Sequence, residues 1–155
     1  MNNNIVKAVE WIKSSRYFVA FTGAGISVES GIPPFRGKKG LWSKYDPIFL
    51  DIWYFHKNPE KSWLKIKEIF YDFFGKSKPN PAHYALAELE SEGYLKSIIT
   101  QNIDNLHQEG GSKTIIEFHG NSRTLVCTKC GKSFDSIEKL IKKQYLRNVT
   151  DAREY

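Results

Sequence analysis

Four short strings in this sequence carry residue types that do chemistry. The first is Gly23-Ala24-Gly25-Ile26-Ser27, directly after an apolar run. Glycines there let a backbone turn tightly and approach a pyrophosphate, whose charge the following N–H groups can meet. The third glycine of the usual dinucleotide fingerprint is absent, since that place holds Val28, so a purely structural turn stays open. The string continues through Gly31-Ile32-Pro33-Pro34-Phe35-Arg36-Gly37. An aromatic ring and a guanidinium on a loop bounded by glycine and proline suit a ring over a ligand and a cation against phosphate. The second string is Thr100-Gln101-Asn102-Ile103-Asp104-Asn105-Leu106-His107. Its amides and carboxylate suit a polar ligand at a strand end, and Asn102 or Asp104 could equally cap a helix. The third is Glu117-Phe118-His119-Gly120, whose histidine could serve as a general base or be structural. The fourth is Cys127-Thr128-Lys129-Cys130-Gly131. Two thiols at this spacing turn toward one metal, and they are half of the four ligands that zinc takes.

The elements between these strings decide where they stand. Ile5, Val6, Val9 and Ile12 recur at helical spacing and predict an amphipathic helix over 3–14. Tyr17 to Phe21 is continuously apolar and ends at the glycines, which predicts a buried parallel strand. Residues 31–47 are rich in Gly, Pro and Lys and predict a long loop, a kind that is usually functional. The aromatics of 48–74 predict helices packed into a core, with Pro59 starting the second. A turn over 75–81 leads to a helix over 82–92 closed by Gly93. Ser97 to Thr100 is a second strand, 103–109 a short helix ended by Gly110 and Gly111, and Thr114 to Phe118 a third strand. Ser136 to Tyr145 predicts a further helix with Asp135 as its cap. Strands alternating with helices give an α/β fold with an open, mostly parallel sheet. Three polar clusters then fall at three successive strand ends.

Bulk properties fit one ordinary domain: 155 residues, 41% hydrophobic and 14% aromatic. The net charge of +6 gathers late, at Arg123, Lys129, Lys132, Lys139, Lys142, Lys143 and Arg147. It reads as a solvated face rather than a nucleic-acid surface. No signal peptide is visible, and no stretch approaches the roughly 18 apolar residues of a membrane span. Cys127 and Cys130 are the only cysteines, a metal or redox pair rather than a disulfide framework, which places the protein in the cytoplasm.

Taken together, these strings resemble the sirtuin family, the NAD-dependent protein-lysine deacylases. Gly23 to Arg36 resembles the family's cofactor loop, Gln101-Asn102-Ile103-Asp104 its nicotinamide and ribose motif, His119 its catalytic base, and Cys127 with Cys130 its first zinc pair. Leu41-Trp42, Tyr45-Asp46-Pro47 and Asn80-Pro81-Ala82-His83 are similar to bacterial and archaeal members, and the resemblance covers roughly residues 3–140. It implies NAD and zinc as cofactors and an acetyl-lysine protein or peptide as substrate. In that chemistry nicotinamide leaves, the acyl oxygen attacks the ribose carbon, and the acyl group passes to ADP-ribose. The resemblance makes His119 the base that deprotonates a ribose hydroxyl. It places Asn102 and Asp104 in the nicotinamide pocket, Gln101 on the ribose, Phe35 over the reaction centre, and Ala24 and Arg36 on the cofactor. Gly23, Gly25, Ser27 and Ile103 complete its cofactor set. Members that prefer acidic acyl groups carry a Tyr-x-x-Arg pair after the loop. Residues 61–74 hold no arginine, which implies an uncharged group such as acetyl.

The family's second cysteine pair, its Phe-Gly-Glu segment and its later glycine-serine and asparagine motifs are not found here. The expected fold is therefore an incomplete Rossmann-like parallel sheet with the start of a small zinc-binding module. The expected division is 1–120 for the N-terminal half of the NAD-binding domain and 121–155 for the partial module. Leu146 to Tyr155 stands where the second pair belongs. Read one frame over, with Asn148 written AAT and Asp151 written GAT, it spells Cys-x-x-Cys, so the tail is expected to be out of frame. The family's strand order would leave Tyr17 to Phe21 at an edge of this chain, prone to aggregation. Rival readings are an inactive or partner-binding remnant and a zinc-knuckle nucleic-acid binder.

Overall fold

The computed structural model describes residues 3–135, without the side chains of residues 72–74. The helix expected over 136–145 and the rest of the tail lie outside the described residues. In chain order the regular elements are α1 (Asn3–Ser14), β1 (Phe18–Thr22), α2 (Ile52–Lys57), α3 (Pro59–Ile66), α4 (Pro81–Ser91), β2 (Leu95–Thr100), α5 (Leu106–Glu109), β3 (Ile115–Glu117), β4 (Thr124–Val126) and β5 (Ser133–Asp135). They fall into two compact units, Met1–Pro34 with Ser77–Gly120, and Phe35–Lys76 with Asn121–Tyr155.

The first unit is built on a parallel sheet in the order β1-β2-β3. Ala20, Phe21 and Thr22 stand against Ile98, Ile99 and Thr100, and Ile98 and Ile99 against Ile115 and Ile116. The central strand carries the core: Leu95 and Ile98 are buried, and Leu106 of α5 is buried as well. Side chains of this kind stabilise a fold by about 1.5–3 kcal/mol each when fully buried. Asn80 caps α4 with its side chain and Pro81 opens the helix, where a missing N–H costs nothing. Gly93, at φ 80°, ends the helix as expected. Glu90 of α4 then accepts from the N–H groups of Lys113 (2.8 Å) and Thr114 (2.7 Å) and fixes the entry to β3.

Two expectations for this unit change. The strand expected over 17–21 forms as β1, but only its Thr22 is buried, and Phe21 is 66% exposed. Among the described residues β1 pairs on one side only, so its apolar composition outruns its cover. The helix expected over 103–109 shrinks to α5, because Asn105 sits in the left-handed region at φ 64° and breaks the helical run.

In the second unit, Asp51 caps α2 by accepting from Tyr54 N at 2.9 Å, and Pro59 begins α3 as expected. A wider π-helical turn continues α3 over Lys67–Phe73. The expected aromatic core is only partly realised. Phe55 meets the edge of Trp63 at 6.0 Å between ring centres, and Ile69 is buried, whereas Trp53 is 74% exposed. The loop expected over 31–47 contains short helical turns at Leu41–Ser43 and from Pro47. β4 and β5 pair antiparallel, Leu125 opposite Phe134, and Tyr71 Oη donates to Ser122 O (2.7 Å) just before this hairpin.

Candidate functional site

Parallel strands bring their carboxyl ends to the same edge of the sheet, where open α/β folds bind ligands. The ladder here runs one residue past each strand. Gln101 N donates to Thr22 O (3.0 Å) and Phe118 N to Thr100 O (2.9 Å). The three polar strings therefore leave the sheet at one level: Gly23 after β1, Gln101 after β2, His119 after β3.

Ser27 joins the first two strings. It is fully buried on the short helical turn Ala24–Ser30, and its Oγ donates to Asp104 Oδ2 at 2.7 Å. Asn102 Nδ2 donates to Ser27 Oγ (3.2 Å) and to Gly23 O (3.0 Å). This uses both amide hydrogens of Asn102 and fixes the orientation of its amide. What Asn102 can still offer a ligand is its Oδ1 acceptor. Asp104 Oδ1 accepts from Leu106 N (3.0 Å), although the cap of α5 is Asn105 and not the Asn102 or Asp104 that the sequence left open. Each carboxylate oxygen of Asp104 retains acceptor capacity beyond the one bond it makes. Ala24 and Ile103 are half-buried in this group, Gly25 and Gln101 are exposed, and His119 is exposed with its ring 5.2 Å from that of Phe118.

Behind the group stands a buried layer to which sequence reasoning gave no role. Asn80 Nδ2 donates to Ile26 O (2.7 Å) and Ser30 Oγ (2.9 Å), while its Oδ1 accepts from Ala82 N (2.9 Å). One side chain thus caps α4 and ties it to the glycine-rich turn. His83 Nδ1 accepts from Asn80 N at 3.3 Å, and the His83 and His107 rings lie 5.0 Å apart. His107 Nε2 bonds Thr22 Oγ1 at 2.8 Å. Both rings are almost wholly buried, and among the described residues His83 Nε2 and His107 Nδ1 have no hydrogen-bond partner. Burial lowers the pKa of both; for His107 the neighbouring His83 lowers it further, to about 4, against an opposing pull from Asp104. These histidines are neutral near pH 7 and support the site rather than titrate there. The available signal was two histidines in polar strings flanking the sheet.

Phe35 and Arg36 belong to the second unit. There Phe35 packs against Trp42 at 5.3 Å and its carbonyl accepts from Trp42 N at 3.0 Å, while Arg36 is exposed. Gly40 holds this loop closed: a Cβ on it would meet backbone atoms of Arg36 at 2.6 and 2.7 Å and of Phe35 at 2.8 Å. The same unit carries the cysteine pair on the β4–β5 turn. Cys127 N donates to Lys132 O and Gly131 N to Cys127 O, both at 2.9 Å, with Gly131 at φ 71°. N–H groups of Cys130 and Lys129 hold the Cys127 thiol below its ordinary pKa. Two free thiols on one turn fit half of a tetrahedral zinc site. Among the described residues no group of three or more His, Cys, Asp or Glu stands together to complete one. Among them, too, no helix is long and apolar enough to cross a membrane.

Known proteins resemble this chain in sequence and in fold. The family model described as "Sir2 family" matches residues 23–154. An NAD-dependent protein deacetylase of Sulfolobus acidocaldarius is 51% identical over 138 residues, which span 86% of this chain and 53% of that protein. An NAD-dependent protein deacylase of Archaeoglobus fulgidus is 49% identical over 136 residues, 87% of this chain and 53% of the relative. Among solved structures, a Sir2 protein with a deacetylated p53 peptide and 3'-O-acetyl ADP-ribose superposes with a TM-score of 0.82 at 42% identity, covering 91% of this chain and 56% of that one. A Sir2 protein with a p53 peptide and NAD+ superposes at 0.78 with 40% identity, covering 88% and 54%. The chain spans about half the length of the curated relatives it matches. Glycine turn, amide–carboxylate cluster and histidine at three adjacent strand ends, within a sequence matched over most of its length, place this chain in the Sir2 family.

Proposed function

We propose that this chain is the nicotinamide- and ribose-binding half of an NAD-dependent protein-lysine deacetylase, which passes an acetyl group to ADP-ribose and releases nicotinamide. The observation that carries the reading is the Ser27–Asn102–Asp104 network at the carboxyl edge of the sheet, in a chain about half identical to proteins described as such enzymes. NAD would supply the ribose that accepts the acetyl group and nicotinamide as leaving group. Asp104 would accept from the carboxamide, and Asn102 would line the same pocket through Oδ1. Gln101, exposed at the end of β2, would bond the ribose, with Gly23, Ala24, Gly25, Ser27 and Ile103 shaping the wall. His119, exposed at the end of β3, would take the proton of a ribose hydroxyl.

The substrate is an acetyl-lysine protein or peptide, since residues 61–74 offer no arginine to an acidic acyl group. Cys127 and Cys130 would hold half of a structural zinc site. A cysteine pair suited to metal rather than disulfide supports a place in the cytoplasm. A second reading, an inactive piece that binds a partner, has the open edge of β1 in its favour.

The test joins this chain to the second half of the Sulfolobus acidocaldarius relative as one polypeptide. With NAD and an acetyl-lysine peptide, the fusion should release nicotinamide and deacetylated peptide one for one. His119→Ala should slow turnover by roughly 10²–10⁴ while leaving NAD binding in place. An inactive fusion, or one that His119→Ala leaves as fast as before, would sink the reading. Turnover by the unfused chain would exclude the second.

A further inference from the structure

His119 leaves the sheet on a turn, and the turn is held from two sides. Gly120 N donates to Glu117 O (3.1 Å) with Gly120 at φ 73°, so residues 117–120 close a tight turn that carries His119 at its third position. Phe118 N donates to Thr100 O (2.9 Å), which hangs the turn from the end of β2. The second hold is a side chain. Gln108 of α5 donates through Nε2 to Glu117 Oε1 at 2.6 Å, and both residues are half-buried. A carboxylate acceptor makes such a bond short and strong.

The other end of α5 is fixed by the pocket. Asp104 Oδ1 accepts from Leu106 N, and Leu106 and His107 are buried. This four-residue helix therefore runs from the Asp104 cluster to the His119 turn, which it reaches through Gln108. Thr100 joins the same two places: its carbonyl holds Phe118, and its Oγ1 accepts from Asn102 N (3.1 Å). His119 itself is exposed, and among the described residues no hydrogen bond holds its ring. An exposed ring takes its place from its backbone, so whatever fixes the turn fixes the base. We propose that Gln108 and Glu117 are positioning residues, which set the distance of the His119 turn from the Asn102–Asp104 cluster for the proton step. This rests on the function proposed above. A general base must stand within hydrogen-bond reach of the proton it takes, and a displacement of about 1 Å costs on the order of a hundredfold in rate.

The experiment reverses the bond in the fusion with the second half of the Sulfolobus acidocaldarius relative. Gln108→Glu sets two carboxylates against each other and breaks the hold. Adding Glu117→Gln restores one donor and one acceptor, in the opposite direction. With Gln108→Glu alone, kcat should fall at least about tenfold while KM for NAD stays within about twofold, because the pocket cluster is untouched. The reversed pair should return kcat to within about threefold of the unsubstituted fusion. Amide exchange read by NMR tells positioning from general loosening. In Gln108→Glu the N–H groups of Phe118 and Gly120 should exchange faster, and that of Ile98, which donates to Thr114 O, should not change. An active fusion indifferent to Gln108→Glu would overturn the proposal alone. So would a reversed pair as slow as Gln108→Glu, a rise in KM that matches the fall in kcat, or faster exchange at Ile98 as well. An unsubstituted fusion with no turnover would overturn it together with the function on which it rests.

Discussion

At the scale of single residues, the site depends on side chains that bond in two directions at once. Ser27 Oγ donates to Asp104 and accepts from Asn102, and so sets the position of both. A hydroxyl with both roles filled has no orientation left to choose, which is how a polar group becomes a fixed wall. His107 has a different consequence. Its folded pKa of about 4 lies below the ordinary 6.5, so below pH 6.5 the unfolded chain binds more protons there than the folded one. The stability from keeping this ring neutral is complete above pH 6.5 and is lost as pH falls toward 4. The full loss is on the order of 3 kcal/mol. His83, shifted the same way by burial, adds to it. Urea midpoints should therefore drop steadily between pH 7 and pH 4.5, and His107→Gln should make that decline shallower.

At the scale of elements, the bonds of Asn80 decide how α4 meets the glycine-rich turn. An ordinary cap satisfies one or two N–H groups, and its loss costs about 0.5–2 kcal/mol. Asn80 also holds Ile26 O and Ser30 Oγ, in a position only 6% exposed. Asn80→Ala removes the cap and strips the part-buried Ile26 carbonyl of its donor, so a total of about 1–3 kcal/mol is expected. Asp51→Ala, at the exposed cap of α2, makes the internal control, with an expected cost near the low end of the capping range, about 0.5–1 kcal/mol. Chemical denaturation of the two variants checks the contrast. Equal losses would mean that Asn80 acts as a cap alone.

At the scale of the whole molecule, burial is uneven. Ile98, on the central strand, is 0% exposed, while Phe21, one strand away, is 66% exposed. Truncating a buried Ile costs about 2–5 kcal/mol, and truncating an exposed Phe costs little. Ile98→Ala should thus lower stability strongly and Phe21→Ala by less than about 0.5 kcal/mol when the chain is alone. Melting temperatures of the two variants check the contrast, and equal losses would contradict it.

The sequence alone determined whatever depends on neighbours along the chain. Helical spacing placed α1, an apolar run ending in glycines placed β1, and Asn80-Pro81 with Gly93 bounded α4, because period, cap and turn are local properties. The strings around Gly23, Gln101 and His119 were legible for the same reason, and alternation of strand and helix was enough to set them at one edge of a parallel sheet. Only the tertiary structure decided the bonds inside that edge. Ser27 and Asp104 are 77 residues apart, and Asn80 and Ile26 are 54 apart. No local pattern says that Asn102 turns its Nδ2 rather than its Oδ1 to Gly23 and Ser27, or that His83 and His107 share a buried layer. Nor does local pattern mark Asn105, whose left-handed backbone cut short the expected helix. The exposure of β1 belongs to the same class. Apolar composition says that a strand is suited to an interior, but whether it has one depends on what the chain puts beside it.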